Sequence, residues 1–166
     1  MYVKRKGLTM NTIYLAAPFF SDNQNARIKE VLDLLKANKT IDSNGIFVPM
    51  EHQHEDLEFG SFKWQVATFA SDMRQVRKAD AVVAILDYQM EETQENEPDS
   101  GTIFEIGAAF EHGIPVIVIQ YNQDQKINLM VAQSYTALFS GKDDIQNLKN
   151  YDFNDLAQKY VEKEVL

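Results

Sequence analysis

Two runs of this sequence, Ala81-Val82-Val83-Ala84-Ile85-Leu86 and the stretch Pro115 to Tyr121 (PVIVIQY), are almost uninterruptedly apolar. A strand with one wet face alternates polar and apolar residues. An unbroken run therefore predicts strands covered on both sides, as in the middle of a parallel sheet. The stretches around them have helical spacing. In Asn25 to Asn38 the apolar residues are Ile28, Val31, Leu32 and Leu35; in Phe62 to Lys78 they include Trp64, Ala67, Phe69, Met73 and Val76. Thr12 to Ala17 predicts a first strand ended by Pro18, GIFVP a second, and Tyr135 to Phe139 a fifth. Asn154 to Glu164 is expected to form a closing helix. Strands alternating with helices imply right-handed βαβ units. The expected fold is α/β, a doubly wound, flavodoxin-like five-stranded parallel sheet of order 2-1-3-4-5 with helices on both faces. Such sheets bind ligands beyond the carboxyl ends of strands 1 and 3, where the winding reverses. The loops there are APFFSDN and the acidic stretch Asp87 to Pro98.

One domain over residues 10–166 is expected, preceded by a flexible extension at 1–9 whose Lys4, Arg5 and Lys6 have no apolar run behind them, unlike a signal peptide. The net charge of −9 disfavours a nucleic-acid or anionic membrane partner. No stretch reaches membrane-spanning length. The absence of cysteine removes disulfides, thiolate metal sites and thiol nucleophiles, and fits a cytoplasmic location. The loop after strand 1 lacks the glycines of a flavin or dinucleotide phosphate loop, so no such cofactor is expected. His52, His54 and His112 lack metal-ligand spacing, and the first two read as a solvated loop.

What remains at the sheet mouth is a set of carboxylates: Asp72 in the second helix, Asp99 in the loop, Glu105 in the next helix. Glu105 is surrounded in sequence by Ile, Phe, Gly and Ala. It fits either a capping box with Thr102 as N-cap or a catalytic carboxylate held in a pocket. Two or three carboxylates around a small cleft suit glycosidic-bond chemistry, in which one attacks the anomeric carbon and another manages the leaving group's proton.

The motifs TIYLAAPFF, NKTID, VPMEHQ, KWQVATFASDM, DSGTIFEIG and INLM, in this order, resemble the nucleoside 2-deoxyribosyltransferase family across residues 11–131. The resemblance implies transfer of a 2-deoxyribosyl group between purine or pyrimidine bases by double displacement, through a covalent glutamyl-deoxyribosyl intermediate. It implies Glu105 as the nucleophile, Tyr14 as the residue orienting it, and Asp72 as the acid/base residue at the nucleobase. Gln53 matches a base-contacting residue and Asp99 a residue bonding sugar hydroxyls. Asn128 and Met130 match residues supplied by a neighbouring subunit, which implies a homo-oligomer, by resemblance a hexamer, with shared sites. The acidic loop is longer than the family's, the segment after Gln53 shorter, and the ending KYVEKEVL does not match, so no role passes to the terminal carboxylate. Two other readings remain open: an N-glycoside hydrolase on the same scaffold, and a non-catalytic nucleoside-binding module.

Overall fold

The computed structural model describes residues 10–87 and 98–165; the expected N-terminal extension, most of the acidic loop and the terminal carboxylate lie outside them. The chain runs β1 (Asn11–Ala16), α1 (Asp22–Lys36), β2 (Ile41–Phe47), α2 (Phe62–Lys78), β3 (Ala81–Ile85), α3 (Ser100–Glu111), β4 (Val116–Gln120), α4 (Leu129–Ala132), β5 (Ala137–Ser140) and α5 (Lys142–Ile145). Short 3-10 turns follow β2 and α5. All five strands are parallel, in the order β2-β1-β3-β4-β5.

Strand periodicity sorts the core into two layers. Ile13, Leu15, Val83, Ile85, Ile117 and Ile119 point to the face covered by α1 and α5. Tyr14, Ala16, Val82, Ala84, Val116 and Val118 point to the face covered by α2, α3 and α4. β3 and β4 are buried along their whole length, as their unbroken apolar runs require. Each fully buried Val or Ile contributes about 1.5–3 kcal/mol, so these strands dominate the stability of the sheet.

The helices start at polar caps. Ser21 opens α1 in a reciprocal capping box with Gln24, and the Ser61 hydroxyl accepts from the Trp64 amide at the start of α2. Arg77 and Lys78 in the last turn of α2 face its partially negative end.

Two expectations about elements are corrected. β2 begins at Ile41, four residues before GIFVP; its polar Asp42-Ser43-Asn44 run spans an irregularity in the pairing, where Asn11 faces Ile41 but Ile13 faces Ile46. A polar insertion at a bulge hides the strand from periodicity. The closing helix does not form. Asn154 and Asp155 lie in a turn, and the chain beyond Leu156 meets the open edge of the sheet at Lys159, with the Leu138 amide donating to the Lys159 carbonyl at 3.0 Å and the Lys159 amide to the Thr136 carbonyl at 3.1 Å. Unpaired backbone groups on an edge strand compete for such a segment. Leu156, at φ 52°, takes a left-handed conformation that a helix excludes.

Candidate active site

The segment at the carboxyl end of β1, the turn after β2, α2 and the start of α3 enclose a cleft of about 340 Å³. Phe19 and Phe20 enter it from the loop after β1, Gln53 from the segment after β2, and Trp64, Thr68 and Asp72 from α2. From α3 come Asp99 to Thr102 and Glu105.

Local structure fixes where α3 begins. Asp87, buried at the end of β3, pairs with Arg27 of α1 at 2.5 Å, and its carbonyl accepts from the Asp99 amide at 2.8 Å. Asp99 is then the N-cap: its Oδ2 accepts from the Thr102 amide at 2.8 Å and the Thr102 hydroxyl at 3.1 Å. The capping-box reading of Glu105 is therefore excluded, because the helix starts one turn earlier and Glu105 lies in its second turn. Its side chain is directed elsewhere. The Tyr14 hydroxyl donates to Glu105 Oε1, and no other hydrogen bond holds that carboxylate among the described residues. Tyr14 is fully buried in the sheet layer, its ring stacked on Phe47 at 5.6 Å between centroids.

The electrostatics follow from burial. Desolvation raises Glu105 from its ordinary 4.5 to about 7; the Tyr14 hydrogen bond works against that rise, while the Asp72 and Asp99 charges add to it. Helix polarity does not offset the rise, since the macrodipole acts mainly within the first turn. Burial, with the Glu105 and Asp72 charges, pushes the Tyr14 phenol far above its usual range, so it remains a proton donor to Glu105. Asp72 is raised from 3.8 to about 6 by desolvation, with His54 and His52 pulling it back.

The cleft thus brings together Glu105, Asp72, Asp99 and Gln53, with Tyr14 behind Glu105. It does not include Asn128 or Met130 of the same chain. Asn128 caps α4, accepting from the Met130 amide at 2.9 Å, and the Met130 side chain is 76% exposed. Reasoning from sequence overlooked four neighbours. Trp64 and Thr68 are eight and four residues before Asp72, a helical spacing that could have placed them beside it. His52, stacked on Phe47 at 4.4 Å, and His54 act on Asp72 through space, which no spacing reveals. Among the described residues no three His, Asp or Glu side chains converge to hold a metal ion.

A family model for nucleoside 2-deoxyribosyltransferase matches residues 13–148. The nucleoside deoxyribosyltransferase of Limosilactobacillus fermentum is 32% identical over 161 residues, covering 89% of this chain and 90% of its own. That of Lactobacillus leichmannii is 28% identical over 158 residues, covering 88% and 96%. Among solved structures, a 2-deoxyribosyltransferase from Bacillus psychrosaccharolyticus superimposes with a TM-score of 0.74 at 30% identity, covering 91% of this chain and 99% of that one. With sheet order and sequence in agreement over most of its length, this chain belongs to the nucleoside 2-deoxyribosyltransferase family, enzymes that move a deoxyribosyl group from one nucleobase to another.

Proposed function

We propose that Glu105 is the nucleophile of the transfer. One carboxylate oxygen attacks C1′ of a 2′-deoxynucleoside and forms a C1′–O bond as the C1′–N glycosidic bond breaks; the bonding electrons leave with the base. Asp72, protonated, gives the departing base its proton and, ionised, takes one from the incoming base. A nitrogen of the second base then attacks C1′ and releases Glu105, so two inversions give net retention. The observation that carries this reading is the Tyr14–Glu105 hydrogen bond at the cleft. It holds Oε1 and leaves Oε2 as the attacking atom, on the same cleft as Asp72.

In this scheme Asp99 serves the sugar hydroxyls through Oδ1, since Thr102 occupies Oδ2. Gln53, Trp64 and the Phe19–Phe20 pair surround the base. Asn128 and Met130 complete the site of a neighbouring subunit in a homo-oligomer. The exposure of Leu129, Met130 and Phe110, which border a largely apolar groove between α3 and α4, supports that assignment. No described helix is long and apolar enough to cross a membrane, and we assign the enzyme to the cytoplasm on its cysteine-free sequence.

The decisive experiment uses a nucleoside of 2-deoxy-2-fluoroarabinose, whose fluorine slows release of the glycosyl-enzyme. Mass spectrometry should find one added fluorosugar on the peptide containing Glu105. Turnover of ordinary substrate by an enzyme that carries the adduct elsewhere would overturn the assignment.

A further inference from the structure

Two polar atoms at the cleft have no hydrogen-bond partner among the described residues: Gln53 Oε1 and Thr68 Oγ1, both closed off from solvent. Their residues line the same cleft, beside Trp64 and Asp72. Gln53 cannot present its other end. Its Nε2 donates to the Pro49 carbonyl at 2.8 Å, and turning the amide over would set oxygen against oxygen. Its free atom is thus an acceptor. Thr68 lies between Trp64 and Asp72 on one face of α2, four residues from each. A helical threonine commonly satisfies its hydroxyl on a carbonyl of the preceding turn, but this one makes no such bond.

We propose that Thr68 is a specificity-determining residue: Gln53 Oε1 and Thr68 Oγ1 together accept the two hydrogens of an exocyclic amine, as carried by adenine and cytosine. This rests on the base-exchange reading above and deepens it. Trp64 supplies a flat apolar wall for the ring, and a rotation of Thr68 about χ1, which has two favoured settings in a helix, brings its oxygen to the amine. Two dry, unpaired acceptors discriminate strongly, because a base without the amine leaves both unsatisfied. A base with an oxo group in that place sets two acceptors face to face at Gln53.

The test compares kcat/KM for cleavage of 2′-deoxyadenosine with that of 2′-deoxynebularine, which has the same ring without the amine. Wild type, Thr68→Val and Thr68→Ser are assayed with and without an acceptor base. The wild type should prefer deoxyadenosine. Thr68→Val should reduce the preference by about three- to tenfold, the worth of one neutral hydrogen bond, and Thr68→Ser should restore it. A merely structural threonine would change both rates alike and leave their ratio untouched. An active wild type without the preference, or Thr68→Val with an unchanged ratio, overturns the proposal while base exchange stands. Should Thr68→Val fail to fold, the wild-type ratio and Thr68→Ala decide. A wild type that neither cleaves nor transfers removes the base-exchange reading and this proposal together.

Discussion

The Tyr14 hydroxyl and the Glu105 carboxylate meet across 91 positions of sequence, one from the buried face of β1 and the other from the second turn of α3. The contact exists because β1 ends and α3 begins at the same reversal of winding, and because Tyr14 falls on the strand face that packs against α2 and α3. Tyr14→Phe should keep the ring packing and lose only the donor. A hydrogen bond to a charged group contributes about 1.5–3 kcal/mol, so kcat/KM should fall roughly ten- to 150-fold. The bond also lowers the Glu105 pKa, so its removal should shift the acidic limb of the kcat/KM profile to higher pH. Loss of rate with an unmoved limb would mean that Tyr14 does not act through Glu105.

The raised carboxylates make stability depend on pH in an unusual direction. Glu105 is raised from 4.5 to about 7 and Asp72 from 3.8 to about 6. An acid whose folded pKa exceeds its unfolded value binds its proton more tightly in the native state. Its stabilising contribution is complete below about pH 4 and is lost as pH rises through 7. Glu105→Gln should therefore become progressively more stable than wild type between about pH 4.5 and 7.5, while losing transfer activity. Scanning calorimetry across that range reads the widening Tm difference; a constant difference would contradict the raised pKa.

Asp72→Asn tests proton transfer to the base. The amide keeps the shape but cannot exchange a proton, so transfer between natural bases should drop roughly 10²–10⁴-fold. A donor whose leaving group departs without protonation should be largely spared. Equal losses on both donors would assign Asp72 to binding instead.

The sheet was legible because β3 and β4 are buried on both sides and carry nothing polar until Gln120. The start of α3 was less so. Asp99 and Thr102 are both good N-caps three residues apart, and the choice was made by a long-range bond from the Asp99 amide to Asp87. The C-terminal segment misled for a similar reason: its charged residues read as a helix, whereas the free edge of β5 recruits its backbone. Glu105, Asp72 and Gln53 stand in motifs, and the cleft unites them. His52 and His54 stand in a polar loop, and only the folded chain brings their charges to bear on Asp72.

Shared sites give the last prediction. Asn128 and Met130 lie outside the cleft of their own chain, with Met130 76% exposed beside Leu129 at 52%. A methionine so placed costs free energy in a monomer and fits an apolar contact in an assembly. If both residues serve a neighbour, a symmetric oligomer contains sites built from two chains. Glu105→Ala and Asn128→Ala should each be impaired alone. Co-expressed, they should assemble some sites with an intact Glu105 from one chain and an intact Asn128 from the next. Asn128 also caps α4, so its replacement should cost about 0.5–2 kcal/mol of stability, which thermal melting separates from the effect on rate. Activity of the mixed protein above the sum of the two separate mutants supports the shared site. A fully active monomer by light scattering would remove Asn128 and Met130 from the site and leave Glu105, Tyr14 and Asp72 untouched.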